Sequence, residues 1–146
     1  MIRRITRGDR ELFLRMTRMF YDSPAVLHKI PDEYHEAAFE ELMRSDAYLD
    51  CYILEKDGEP AGYALLNYTY QHEAGGRVVW LEELFVLPEF RSEGLGGEFF
   101  EYAERNIPAA RFRLELERDN VRAGRLYGRM GYENLPYEQM IKDLRT

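Results

Sequence analysis

The chain has 146 residues, 45% of them hydrophobic and 14% aromatic, which is the length and composition of one packed domain and excludes a disordered segment of low hydrophobicity and high charge. Its 20 basic residues are outnumbered by 27 acidic ones, for a formal charge of −7. That balance argues against a nucleic-acid partner, because grip on a phosphate backbone comes from clustered Lys and Arg, and it suits a cationic small substrate.

Ile2 to Thr6 predicts a short strand, followed from Asp9 by a helix whose Leu12, Phe13, Met16, Met19 and Phe20 recur at three- and four-residue steps on one core face. MIRRITRGDRELF has no continuous apolar stretch, so it reads as neither signal peptide nor anchor, and no window approaches the ~18 apolar residues of a membrane span. The expectation is a soluble, cytoplasmic protein with no membrane partner. Two prolines break the pattern between Tyr21 and Pro31, a loop suited to shaping a substrate pocket. A second helix from near Asp32 presents Tyr34, Ala37, Ala38, Glu41 and Leu42.

The period then changes to two. Tyr48–Glu55 and Pro60–Tyr70 read as antiparallel strands joined through the Asp57-Gly58 hairpin signal, and Ala74-Gly75-Gly76-Arg77 turns into a third strand, Val78–Leu87. Cys51, the one cysteine, lies in the first of these strands and reads as core packing rather than a reactive thiol. Next come a helix from Gly94 through Leu95, Phe99, Tyr102, Ala103 and Asn106, a half-buried strand at Arg111–Glu117, and a helix at Asn120–Met130 with Gly131 as its left-handed cap. A last apolar run, Tyr137–Leu144, is taken as a strand. The order predicts a single α/β domain over residues 1–146. Its central sheet is mixed and mainly antiparallel, flanked by helices, with one parallel βαβ crossover through the Gly94 helix.

Three constellations carry chemistry. In Arg91-Ser92-Glu93-Gly94-Leu95-Gly96-Gly97 a glycine turn opens a helix, where unpaired N–H groups and the helix dipole favour phosphate and Arg91 adds a permanent charge. A dinucleotide fingerprint fails because Phe99 stands three after Gly96, and a triphosphate loop fails because Glu98-Phe99 follows the last glycine. Upstream, Glu82 and Glu83 sit in an otherwise apolar strand. One of them must leave the solvent face or sit at a sheet irregularity, and a carboxylate in apolar surroundings has its pKa raised toward that of a working base. A cross-strand pair with Arg or Lys is the alternative. Downstream, Asn120 and Tyr127 are seven apart on one helix face, within reach of one elongated ligand. His28, His35 and His72 have no ligand spacing, and no metal site is assigned.

Together these residues resemble the GNAT superfamily of acyl-CoA-dependent N-acetyltransferases. The signature R/Q-x-x-G-x-G/A is matched by Arg91, Gly94 and Gly96, with Gly97 in the small-residue position that follows. LEELFVLPEFRSEGLG is similar to the branch of spermidine/spermine and thialysine acetyltransferases, in which an acidic pair precedes the strand end and a later helix carries Asn and Tyr seven apart. The resemblance implies acetyl-CoA as cosubstrate. Its pantetheine arm would lie on the backbone of Phe85, Val86 and Leu87. The amides of Ser92, Glu93, Gly94, Leu95, Gly96 and Gly97 would bind its pyrophosphate with Arg91, and Asn120 and Tyr127 would face it. Glu93 departs from the pattern by placing a negative charge in that turn.

The resemblance also implies a bulge in the Val78–Leu87 strand, with the Val86 N–H as donor to the thioester carbonyl. Glu82 is then the expected base that deprotonates a primary amine of a small, cationic acceptor. Glu83 is a second choice or a contact for the substrate ammonium, and Tyr127 is the proton donor to the departing thiolate. Two alternatives stand beside this reading, a protein or peptide N-acetyltransferase and a non-catalytic acyl-CoA-binding regulatory module. A homodimer is expected, paired through the late strand. The acceptor itself goes unnamed, because the helices and loops before Tyr48 carry no recognisable motif.

Overall fold

The computed structural model describes residues 1–145. Runs of alternating apolar residues build five strands: β1 (Ile2–Arg4), β2 (Leu49–Lys56), β3 (Glu59–Gln71), β4 (Gly76–Val86) and β5 (Arg111–Leu114). They lie in one sheet in sequence order. The first four pair antiparallel, and β4 with β5 is parallel. Four helices accompany them: α1 (Arg10–Tyr21), α2 (Asp32–Arg44), α3 (Leu95–Asn106) and α4 (Val121–Arg129). This is the mixed, mainly antiparallel sheet with one parallel crossover that the sequence predicts, α3 making the connection from β4 to β5.

Strand side chains alternate between faces, so the sheet separates two apolar clusters. On one face Phe13, Met16 and Phe20 of α1 and Phe39 of α2 pack with Ile53, Tyr63, Leu65 and Phe85. On the other, Leu95, Phe99, Phe100 and Ala103 of α3 pack with Leu54, Ala64, Leu66, Val79 and Leu81, and Leu126 and Tyr127 of α4 lie against them. Each such side chain taken out of water contributes about 1.5–3 kcal/mol.

The alternation breaks once in β4. Leu65 of β3 stands opposite Glu83 and Leu66 opposite Leu81, so Glu82 is an extra residue, a bulge. The parallel pairing with β5 ends at the same level, Leu81 opposite Leu114. A bulged strand bends, and β5 accordingly stops at Leu114 instead of running to Glu117. Beyond Leu81 the two strands part.

α2 starts at Asp32 as read; its His35 and Phe39 are buried, Phe39 with its ring centroid 5.9 Å from that of Phe13, and Ala38 and Leu42 pack against the same cluster while Tyr34 and Ala37 face solvent. One other expectation is corrected. Tyr137–Leu144 forms no strand. Its apolar residues, Tyr137, Met140, Ile141 and Leu144, do not alternate, no strand of the sheet takes them as a partner, and all four are exposed. The turns behave as read, with Asp57 and Gly58 at φ 52° and 79° and Gly131 at φ 91°. Among the described residues no helix is long and apolar enough to cross a membrane.

Gly62 of β3 lies so close to β4 that an added Cβ would stand 2.1 Å from the Phe85 carbonyl oxygen. Gly62→Ala is therefore expected to cost about 1–3 kcal/mol or more through overpacking at the strand pair. Urea denaturation measures this, and an unchanged midpoint would contradict the packing described.

Candidate active site

The bulge turns two adjacent glutamates to different surroundings. Glu82 reaches the surface and accepts a hydrogen bond from Asn67 Nδ2, the residue two beyond the register shift on β3. It lines a cleft of about 360 Å3 with Asn67, Trp80, Leu81, Glu115 and Gln139. Although its surface is accessible, the cleft walls desolvate its carboxyl and raise its pKa above the ordinary glutamate value, and the charge of Glu115 pushes the same way.

Glu83 is 6% exposed. Tyr63 Oη donates to its Oε1 and Tyr21 Oη to its Oε2, both at 2.7 Å. Burial raises its pKa, and the two hydroxyls oppose that shift. With both oxygens covered by tyrosines, Glu83 has no open approach for a substrate ammonium. Neither glutamate pairs with an Arg or Lys among the described residues.

Downstream, β4 presents backbone. The Leu87 N–H donates to the Ala61 carbonyl of β3 at 2.8 Å. Successive residues of a strand point their backbone groups to opposite edges, so those of Val86 face away from β3, toward the side that β5 has left. The Val86 carbonyl there accepts from Arg91 Nε at 2.9 Å, and the Val86 N–H lies on the same open side. This direction follows from strand alternation; the bulge lies four residues earlier, at Glu82.

The glycine turn follows. Gly94 is the N-cap of α3 at φ 81°, a left-handed conformation that a side chain resists, and no side chain caps the helix. The first backbone bond into α3 runs from the Glu98 N–H to the Gly94 carbonyl at 3.0 Å. The N–H groups of Leu95, Gly96 and Gly97 thus have no acceptor among the described residues, and an anion suits them. Arg91, anchored by Nε and lying 5.7 Å from the centre of the Phe85 ring, has two Nη groups left for that anion. Ser92, at φ 65°, accepts from Arg122 Nη2 of α4 at 2.7 Å, which brings a second guanidinium to the turn. Glu93 is exposed.

On α4, Asn120 is the N-cap, its Oδ1 accepting from the Ala123 N–H at 3.3 Å. That use occupies the oxygen and leaves the amide nitrogen. Tyr127 is half-buried edge-on to Phe100 at 5.6 Å, its pKa raised by burial. It borders a larger cleft of about 960 Å3 along β5, and the two clefts meet at Glu115 and Gln139. Size does not rank them. The perturbed carboxylate stands in the smaller one.

Among the described residues no cluster of three His, Cys, Asp or Glu side chains stands where it could hold a metal. Tyr21, Tyr63, Asn67, Glu115 and Arg122 escaped the sequence reading. Tyr21 and Tyr63 look like core tyrosines, and only the polar break of Asn67 in an apolar strand gave a signal.

Residues 13–132 match the acetyltransferase (GNAT) family. The chain belongs to that family and is an N-acetyltransferase. It is 30% identical to thialysine N-epsilon-acetyltransferase of Bos taurus over 151 residues, covering 92% of this chain and 85% of that protein. It is 28% identical to aminoglycoside N(6')-acetyltransferase type 1 of Salmonella typhimurium over 109 residues, 70% of this chain and 74% of that one. Its fold is shared with AAC(6')-Iy in complex with the bisubstrate analogue CoA-S-monomethyl-acetylneamine, at TM-score 0.79, 22% identity and coverage of 100% and 98%. A possible acetyltransferase from Clostridium difficile 630 shares it at TM-score 0.85 with 13% identity, again covering 100% and 98%.

The buried Glu83 has a pH signature. An acid whose folded pKa is raised binds more protons folded than unfolded, so its contribution to stability falls as pH rises from the ordinary glutamate value through the raised one. Glu83→Gln is expected to flatten the decline of the unfolding temperature across that window. An identical pH profile in the variant would contradict the burial described.

Proposed function

We propose that the protein transfers the acetyl group of acetyl-CoA to a primary amine of a small cationic acceptor, by direct attack within a ternary complex. The observation that carries this reading is Glu82, a desolvated carboxylate standing on a bulge where β4 and β5 part, upstream of a backbone N–H on the open side at Val86. The relatives support it, since two of them are acetyltransferases of the amines thialysine and aminoglycosides, and a protein of the same fold forms a complex with a CoA-derived bisubstrate analogue.

The residues present fit the cofactor. The free N–H groups of Leu95, Gly96 and Gly97, with those of Ser92, Glu93 and Gly94 in the same turn, would hold the pyrophosphate between Arg91 and Arg122. The backbone of Phe85, Val86 and Leu87 would line the pantetheine arm, and the amide nitrogen of Asn120, left over from its N-cap bond, would face the cofactor. Acetyl-CoA supplies an acetyl thioester, whose carbonyl accepts the amine's lone pair and whose thiolate leaves.

An alkyl amine with a pKa of about 10.4 is protonated at neutral pH and has no lone pair to offer. Glu82 takes that proton, and its raised pKa makes it a stronger base than an ordinary carboxylate. The Val86 N–H donates to the oxygen on which negative charge builds. Tyr127 Oη gives the thiolate its proton. Glu115, which lines the same cleft as Glu82, adds the second negative charge that suits an acceptor with more than one ammonium.

Release of CoA thiol from acetyl-CoA with spermidine, thialysine, neamine and a lysyl peptide tests the reaction. Turnover on the small amines is expected, and cofactor binding without turnover on any of them would contradict it. Glu82→Gln should lower kcat/KM by about 10²–10⁴-fold and abolish its acid limb. Tyr127→Phe should lower kcat far more than it weakens acetyl-CoA binding; unchanged turnover would remove Tyr127 from the mechanism.

A further inference from the structure

Glu82 stands on the bulge, outside the regular pairing of β3 and β4, yet one of its carboxyl oxygens is fixed. Asn67 Nδ2 of β3 donates to Oε2, and among the described residues no group donates to Oε1. Strand alternation brings the amide there. Tyr63 and Leu65 of β3 pack on the α1 side of the sheet, and Asn67 is the next residue on that face. Its register partner is Trp80, two residues before Glu82 on β4, so Asn67 lies at the step just ahead of the extra residue. Asn67 is half-buried, and it lines the same cleft as Glu82. A leucine there would continue the apolar face of β3; the amide instead gives a donor to a carboxylate.

The other groups around Glu82 work against its charge or are engaged elsewhere. Glu115, beyond β5, lines the cleft and repels it, and the cleft walls desolvate it. Glu83, its neighbour on β4, is buried with Tyr21 of α1 and Tyr63 of β3 on its two oxygens. Arg113 of β5 lies over the Trp80 ring, 4.2 Å from its centre, and no Lys or Arg among the described residues pairs with Glu82. The bond from Asn67 opposes these effects, because an N–H given to a carboxylate favours its ionised form.

We propose that Asn67 controls Glu82: its amide holds Oε2, keeps the carboxyl ionised in a cleft that disfavours charge, and leaves Oε1 as the oxygen open to a ligand. The inference rests on the reading of Glu82 as the base and adds the positioning residue that this base needs. A base protonated at rest cannot take the proton of an amine, so a desolvated glutamate requires a donor to remain a carboxylate. The bond also helps the base to reset. Once Oε1 carries the amine's proton the carboxyl is neutral, its bond to Asn67 loses the assistance of charge, and passing the proton to water restores that bond.

Carbon-13 NMR titration of the side-chain carboxyls in glutamate-labelled enzyme, free of ligand, reads the protonation of Glu82 directly, with Glu82→Gln identifying its resonance. In Asn67→Leu the midpoint is expected to rise by about one to two pH units, the loss of a hydrogen bond to a charged group. Asn67→Val, whose branched side chain suits a strand, should move it the same way and serves if Asn67→Leu folds poorly. In rates of CoA thiol release with spermidine and thialysine, the acid limb of kcat/KM should move upward with the midpoint. The plateau above it should stay within about ten-fold of wild type.

A midpoint within about 0.3 pH unit of wild type in the variant that folds overturns the proposal, whatever the activity. A lowered plateau beside an unmoved midpoint does so too and marks a merely structural asparagine. A raised midpoint with an acid limb that stays in place would retain the control of Glu82 by Asn67 and reject Glu82 as the base. A raised midpoint in an enzyme that releases no thiol with either amine would retain it and reject transfer to these amines.

Discussion

The extra residue in β4 at Glu82 shapes everything around it. A strand that alternates strictly would send Glu82 and Glu83 to opposite faces of a flat sheet and keep β5 paired beyond Leu81. With Glu82 inserted opposite the Leu65–Leu66 step, β4 bends, β5 loses its partner at Leu114, and a gap opens along the continuing strand. The same local event delivers a carboxylate to the mouth of that gap and a second one to the α1 side of the sheet. Downstream of it, the edge of β4 faces open space instead of a neighbouring strand, so the Val86 N–H stays available while Arg91 is tied to the Val86 carbonyl.

The gap would be of little use without an anchor at its far end. The turn after β4 supplies one, since Gly94 is left-handed and α3 begins with three N–H groups that have no acceptor among the described residues. A parallel crossover needs a helix after β4 in any case, and here its N-terminus opens where the strands diverge. Packing holds this arrangement from both sides, with Phe99 and Phe100 under the turn and Phe13, Phe20 and Tyr63 behind Glu83. Apolar clusters on the two faces thus hold polar groups at a fixed distance from one another.

Much of this is legible in the sequence where one residue type has one physical reason to be present. Gly94 and Gly96 after Arg91, the Asp57-Gly58 hairpin, and the switch from period two to the spacing of a helix each have few alternative readings. What escapes is whatever depends on a shift of one position. Two adjacent glutamates cannot be assigned to faces until the bulge is located. Residues that meet only in space also stay hidden. Tyr21, Asn67, Glu115 and Arg122 come from four separate elements or their flanks, and none carries a local pattern that separates it from a core or surface residue. The run Tyr137–Leu144 is apolar enough to suggest a strand, yet a strand needs a ladder partner, and among the described residues β5 pairs with β4 alone.

The central claim is that the cofactor enters the gap where β4 and β5 part, with its phosphates at the start of α3. Backbone amide NMR during titration with CoA and then acetyl-CoA addresses it directly. The account predicts the largest shifts with CoA at Leu95, Gly96 and Gly97, and a further shift at Val86 that requires the acetyl group. Perturbations confined to the α1–α2 face, or a Val86 amide indifferent to both ligands, would contradict it.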